Sequence, residues 1–422
     1  MNDTVLTPSV RASAGMSITL VQSLARRAVL RQLSRLRHGG LIIECAGERL
    51  HFGHAPAEFT VHVHDPAFWP RVAFGGSVGA GESYMDGDWS TDNLTGLLRL
   101  LLRNRAVLDG MERGLARLSE PLRWLWAALR RNTRDGSRRN IAAHYDLGNA
   151  FYRLWLDPTL MYSCAVFEQP GMSLAAASTA KLERICRKLN LRADDHVLEI
   201  GTGWGGFALH AASRYGCRVT TTTISQQQYE LARARIAAAG LEDRVEVLLS
   251  DYRDLTGQYD KLVSIEMVEA VGAAYLETYF RHCARLLKPD GAMLIQAITI
   301  ADQRYQSALK SVDFIQKHIF PGGFLPSVTA MHSAISIASD MRGVHLEDIG
   351  PHYAETLAHW RENFLNRIED VRALGYPEKF IRMWLFYFAY CEAGFLERDI
   401  GTVQMLLAKP DWRGAPLLGD LR

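Results

Sequence analysis

From His196 onward the chain switches between two rhythms of apolar and polar residues. HVLEIG is a short apolar run, WGGFALHAASRYG opens on glycines and continues at helical spacing, RVTTTTI is strand-like, SQQQYELARARIAAAG is helical, and RVEVLLSD is a strand again. Strand, glycine turn, helix and strand repeated in this order predict a parallel sheet covered by helices. YDKLVSIE, a helical stretch from Ala273 to Leu287 and AMLIQAITI extend the sheet, with KPDG as the turn before the last strand. Beyond about Ala301 the pattern is largely helical, and the aromatic run MWLFYFAY at 383–390 reads as a core helix ahead of a lipid-facing one. Upstream, residues 1–16 are small and polar and read as a disordered tail. Residues 17–130 carry helical patterns around the strand-like LIIEC and FTVHV, a smaller α+β domain. RNTRDGSRR, residues 131–139, has the charge and Gly/Ser content of an exposed connection, which leaves 140–422 as the second domain.

Composition narrows this picture. With 422 residues, 48% of them hydrophobic, the chain has enough material for two cores. The sequence shows neither a run of roughly 18 apolar residues nor a basic-then-apolar leader, so the expected location is cytoplasmic. Six scattered cysteines form no CxxC pair and no Cys/His cluster, so neither a disulfide framework nor a metal site is expected. Net charge is only +2, yet residues 99–139 hold eleven arginines against four acids. Leu97, Leu101, Leu108, Met111, Leu115, Trp124 and Trp126 are interleaved with arginines there, a pattern for docking on an anionic membrane or for an amphipathic core helix with a solvated basic face.

The candidate chemistry starts at EIGTGWGG, Glu199 to Gly206, between a strand and a helix. Glycines there let the backbone turn tightly and approach a ligand closely. The spacing E-x-G-x-G-x-G resembles class I S-adenosylmethionine-dependent methyltransferases rather than the GxGxxG of dehydrogenases, and there is no Walker lysine. In such a site Gly201 and Gly203 pass the methionine part of the cofactor, and Glu199 orients its ammonium group through the loop. The second strand ends without the acid that usually takes the ribose hydroxyls, leaving Thr223 and Gln228 as polar groups. Asp251-Tyr252, ending the third strand, offers a carboxylate to the adenine amino group and a ring to its face.

The motifs in order, AHYDLGNAFYRLWLD (143–157), MYSCAVFE (161–168), AKLERICRKL (180–189), VLEIGTGWGG, TTISQQQ, SDYRDL (250–255), FIQKHIFPGGFLPS (314–327) and CEAGFLERDI (391–400), resemble the cyclopropane fatty acid synthase family, which includes mycolic acid cyclopropane synthases. The first domain contributes the family-like FGGSVGAGESYMDGDW. That resemblance implies a Rossmann-like class I methyltransferase domain and an S-adenosylmethionine site. The site would be lined by Tyr162, Ser163, Val197, Leu198, Glu199, Ile200, Gly201, Thr202, Gly203, Trp204, Gly205, Thr223, Ile224, Ser225, Gln226, Gln227, Gln228, Asp251, Tyr252 and Arg253. It also implies a bicarbonate ion at the reacting methyl, held by groups of Cys164, Glu269, Gln296, Ile298 and Tyr353, and a tail cysteine, Cys391, sometimes considered catalytic. The implied activity is methylenation of a double bond in an unsaturated phospholipid acyl chain, with peripheral contact at the inner face of the membrane and a homodimer as the expected assembly. Two departures stand out: Glu269-Ala270-Val271-Gly272 where the family often has Glu-His-Val-Gly, and Gln296 where it has histidine.

The chemistry explains the residue types. Methylating an alkene creates a carbocation that water would trap, so the pocket must be apolar and dry, and a base must take a proton from the new methyl group. Bicarbonate would serve as that base, with Glu269 accepting its hydroxyl proton and Gln296, Tyr353 and backbone N–H groups donating to its other oxygens. The rival readings are a methyltransferase that leaves a methyl-branched or methylene chain, a lipid-binding relative without turnover, and a nucleic-acid methyltransferase. An Asn/Asp-Pro-Pro-Tyr element is missing from the sequence, and nucleic acid is not an expected partner.

Overall fold

The computed structural model describes residues 19–114, 116, 147–415 and 417. The expected tail at 1–16 and connection at 131–139 lie outside these residues. Two compact units emerge, one from residues 1–129, 310–319 and 360–399, the other from 130–309, 320–359 and 400–422. Compactness is therefore not contiguous in sequence. The region 140–422, expected as one domain, lends 310–319 and 360–399 to the N-terminal unit.

In the first unit, α1 (Leu20–Leu33) starts at a capping box in which Thr19 and Gln22 satisfy each other's backbone N–H groups. Strands β1 (Gly40–Cys45), β2 (Glu48–Gly53), β3 (Phe59–Val63) and β4 (Trp89–Thr91) form a sheet of order β2-β1-β3-β4. Helix α2 (Phe68–Met85) is kinked at Gly76, where φ is +57°, and the Glu112 carboxylate accepts the Ser77 N–H at the kink, at 2.7 Å. Helices α3 (Leu94–Arg103) and α4 (Arg105–Arg113) carry the described part of the arginine-rich stretch. Leu97 and Leu100 are buried, Arg99 and Arg103 pair with Glu397 at 2.7 and 3.0 Å, and Arg105 pairs with Asp399. In this portion the apolar face of the first helix is buried and Arg99, Arg103 and Arg105 are engaged. Leu115, Trp124 and Trp126 fall outside the described residues. The run 383–390 lies on the helix Glu378–Leu396, where Trp384 to Ala389 are buried, the core position expected of it.

The second unit is a seven-stranded sheet of order β10-β11-β9-β8-β5-β6-β7. It contains β5 (His196–Ile200), β6 (Arg218–Thr223), β7 (Val245–Leu249), β8 (Tyr259–Ile265), β9 (Leu287–Ile300), β10 (Arg342–Asp348) and β11 (Ile400–Ala408). The five strands from β5 to β9 pair in parallel, whereas β11 is antiparallel to both β9 and β10. Helices α5 (Leu174–Leu189), α6 (Gly206–Tyr215), α7 (Gln226–Ala238), α8 (Leu276–Leu286), α9 (Val328–Ala338) and α10 (Gly350–Asn366) complete the series. Strands β10 and β11 correct the expectation of a helical tail. In β11 all residues from Thr402 to Ala408 are buried, so the sequence lacks the alternation that marks a half-exposed strand. KPDG is a bulge within β9, the register jumping between the Tyr259–Leu287 and Lys261–Ala292 pairs. The order reverses between β5 and β8, and ligands of open α/β sheets bind at the strand ends beside such a reversal.

Candidate active site

The loop after β5 turns at that reversal. Gly201, Gly203 and Gly205 have φ of +102°, +51° and +83°, values an L side chain resists, and the N–H groups of Gly201 and Thr202 both donate to the Thr222 carbonyl at 3.0 Å. A Cβ placed on Gly203 would meet nothing within 4 Å, so the outer face of the turn borders open space. Glu199 is buried beneath the loop and accepts the Thr221 hydroxyl at 2.6 Å, which also lies 2.7 Å from the Thr202 hydroxyl. Burial pushes Glu199 up to about 8. Val197, Leu198 and Ile200 point into the core, so what they can offer a ligand is backbone.

Around the loop stands an aromatic wall. Tyr162 packs on Tyr152, Trp155 and Phe320 with centroids 5.7, 5.2 and 6.0 Å away, and Tyr152 lies 4.9 Å from Trp204, whose indole N–H donates to Asn149 at 2.7 Å. Such a wall supplies the apolar surroundings a cation needs. Ser163 accepts a 2.8 Å hydrogen bond from the buried ammonium of Lys181, which desolvation lowers to about 8.

At the end of β6, Thr223 donates to the Gln228 carbonyl oxygen at 2.8 Å and Ser225 caps α7. Ile224 and Gln227 are half-buried beside them, while Gln226 is exposed and tied to Glu230. Asp251 is held by Arg253, from its backbone N–H at 3.0 Å and from the guanidinium at 2.6 and 2.8 Å, and that guanidinium stacks on the Tyr252 ring. The carboxylate expected to face adenine thus also shapes its own turn.

Three of the five groups assigned to bicarbonate converge, but on a side chain. Cys164 donates its backbone N–H to Glu266 Oε1 at 2.9 Å, Gln296 donates its amide N–H to the same oxygen at 2.8 Å, and the Tyr353 hydroxyl donates to Oε2 at 2.8 Å. Glu266 directly follows β8, in the left-handed region at φ +49°. Its neighbour Glu269 accepts the Ile298 N–H at 2.6 Å through Oε1, whereas Oε2 is buried with no hydrogen-bond partner among the described residues. Burial and then the Glu266 charge push Glu269 up to about 8. The donors expected to hold a free anion therefore hold a carboxylate of the chain. Cys164 contributes its backbone; its thiol is fully buried and far too weak an acid for nucleophilic work. Cys391 belongs to the other unit, on the helix Glu378–Leu396, and desolvation raises its thiol as well.

The residues fit the cofactor that the loop spacing implies: glycines at positive φ bordering open space, a buried acid beneath them, and hydroxyls and amides at the neighbouring strand end. Residues 132–405 match the family described as mycolic acid cyclopropane synthetase. The chain belongs to that family. It is a class I, S-adenosylmethionine-dependent C-methyltransferase. Among its relatives, the tuberculostearic acid methyltransferase UfaA1 of Mycobacterium tuberculosis is 41% identical over 363 residues, 84% of each chain. The cyclopropane-fatty-acyl-phospholipid synthase of Escherichia coli is 39% identical over 360 residues, 85% of this chain and 89% of that one. The solved mycolic acid cyclopropane synthase CmaA1 complexed with SAH and CTAB superposes with a TM-score of 0.61 at 31% identity, covering 64% of this chain and 98% of its own.

Sequence reasoning missed Glu266 and Lys181. Both carried a signal: Glu266 is an acid at a strand end beside the topological switch, and Lys181 lies on the buried stripe of α5 with Ala177, Ser178, Leu182 and Ile185.

Two outcomes test the site. Gly203→Val has room for its side chain but strains a turn held at φ +51°, so with folding confirmed by circular dichroism it should lose at least tenfold in S-adenosylmethionine affinity by calorimetry; unchanged affinity would remove the assignment. Glu269 is an acid whose pKa rises on folding, so its contribution to stability is fully present below the unfolded value of 4.5 and is lost as pH rises towards 8. Without added cofactor, the melting temperature of Glu269→Gln relative to wild type should climb between pH 5 and 8 and then level off. A constant difference would show that Glu269 is not held in its neutral form.

Proposed function

We propose that the chain methylates the double bond of an unsaturated phospholipid acyl chain and that Glu266, not bicarbonate, is the base that completes the reaction. The observation that carries this is the convergence of the Cys164, Gln296 and Tyr353 donors on the Glu266 carboxylate. Three donors favour its ionised form, and buried Lys181 adds a positive charge that does the same. Burial outweighs them and holds its proton affinity above that of an ordinary carboxyl, which makes it a stronger base than a solvated carboxylate.

S-adenosylmethionine, when bound, supplies a sulfonium methyl and keeps the electron pair of the broken C–S bond. The alkene's π electrons form the new C–C bond, leaving a cation on the neighbouring carbon. Aromatic rings around Tyr162 exclude water from it. Transfer of a hydride from the methylated carbon to its neighbour places the cation beside the new methyl group. Glu266 then takes a proton from that methyl, and the C–H electrons form a C=CH2 branch on the open chain. A methylene-branched chain results without any reductant. The relative named as a tuberculostearic acid methyltransferase is compatible with this outcome, although the cyclopropane-fatty-acyl-phospholipid synthase matches as broadly.

A second reading keeps the cyclopropane product and bicarbonate. It is favoured by the partnerless Glu269 Oε2, the group that would accept the bicarbonate hydroxyl proton. Methylene and cyclopropane products are isomers, so proton NMR of the product lipids separates them. The expected result is vinylidene signals, turnover indifferent to bicarbonate depletion, and a loss of roughly a hundredfold or more for Glu266→Gln with cofactor affinity retained. Cyclopropane signals together with dependence on added bicarbonate would favour the second reading.

A phospholipid substrate brings the enzyme to a bilayer, and among the described residues no helix is long and apolar enough to cross one. Because Arg99, Arg103 and Arg105 are engaged by Glu397 and Asp399, electrostatic attraction would fall to the arginines from Arg117 to Arg139. Neutralising Arg130, Arg131, Arg134, Arg138 and Arg139 together should weaken sedimentation with anionic vesicles at low salt, and binding that ignores lipid charge and ionic strength would contradict this.

A further inference from the structure

Gln296 is fully buried, and its amide must choose a direction, because one end can only donate and the other only accept. Its donor end faces Glu266, and its oxygen accepts the Gln404 side-chain N–H at 3.0 Å. Gln404, fully buried on β11 and in register opposite Gln296, accepts at its own oxygen a 2.7 Å hydrogen bond from Lys188 Nζ. Lys188 is held in turn by Glu347 at 2.5 Å, and Glu347 also accepts from Arg184. An ammonium has no acceptor, so Lys188 must find an oxygen on Gln404. That forces the Gln404 NH2 towards Gln296, and the Gln296 NH2 towards Glu266. The direction of both amides is set by one lysine on α5.

We propose that Lys188 and Gln404 are positioning residues of the methyl-transfer site: they act through Gln296, holding its amide so that an N–H always points at Glu266. Neither touches the groups assigned to substrate or cofactor. The proposal rests on the reading of Glu266 as the base. Besides Gln296, the groups facing Glu266 are the Cys164 N–H, the Tyr353 hydroxyl, the Lys181 ammonium and the Glu269 carboxyl; around Lys188 they are Glu347, Arg184 and His345.

The decisive variant is Gln404→Glu, nearly identical in shape. Its carboxylate accepts from Lys188 but cannot donate to Gln296, whose amide then turns its N–H to the new acceptor and its oxygen to Glu266. Glu266 loses a donor that favours its ionised form, so a higher pH is needed to keep it ready to take a proton. The acid limb of the pH–rate profile should move up by about one pH unit, a roughly tenfold lower rate at the acid end with the alkaline plateau retained. Lys188→Met, which leaves Glu347 paired with Arg184, should move it in the same direction and serves as the second variant should Gln404→Glu not fold. Lys188→Arg, also donor-only, should restore the wild-type profile. In a Gln296→Leu background Gln404→Glu should add no further shift. A profile that superimposes on wild type, a rate that falls equally at every pH, or a shift that persists in the Gln296→Leu background would overturn the relay. Glu266→Gln separates the two claims: if it retains full turnover, the base assignment fails, whereas if it is inactive while Gln404→Glu is silent, only the relay fails.

Discussion

A carboxylate drawn away from water has to be met by donors, and the site is organised around meeting that need for Glu266. The donors come from segments far apart in sequence: the backbone at Cys164, the amide of Gln296 on β9 and the hydroxyl of Tyr353 in the first turn of α10. Two of these donors, and Glu266 itself, are fixed by further hydrogen bonds. Cys164 sits in a segment whose next residue, Ala165, donates to the Thr356 hydroxyl; Gln296 is fixed by Gln404; and the Glu266 N–H itself donates to the Gln296 carbonyl at 2.8 Å. Such an arrangement resists rearrangement because a partly satisfied buried network costs more than an intact one.

Under the proposal that Glu266 is the base, the same constraint sets the chain apart from what its motifs imply: donors spent on a resident carboxylate are not free for a mobile anion, and a base tethered to the backbone reaches only those protons that the substrate presents to it. Glu266 and Glu269, three residues apart at one strand end, cannot both ionise cheaply. Burial raises the proton affinity of both, and the Glu266 charge adds to the rise that takes Glu269 up to about 8.

Much of the fold was legible. The parallel order from β5 to β9, the glycine turn and the helices behind it follow from periodicity and from glycines at positions that need positive φ. Strands β10 and β11 were not, because a fully buried run such as VQMLLA carries no alternation, and its one polar residue, Gln404, is explained only by partners contributed by α5 and β9. Nor was the division into units, since 310–319 and 360–399 join the first through packing that leaves no trace in local pattern. At the site, the convergence of Cys164, Gln296 and Tyr353 came through family resemblance, while Glu266 at their centre was passed over. Lys181 and Lys188 looked like ordinary charges of a helix until burial set them apart.

The most direct test is a high-resolution crystal structure of the enzyme with S-adenosylhomocysteine, grown in bicarbonate. The Glu266 carboxylate should lie between the Cys164 N–H, the Gln296 amide and the Tyr353 hydroxyl with no separate ion among those donors. A trigonal ion held by Gln296 and Tyr353, with Glu266 turned away, would contradict the account.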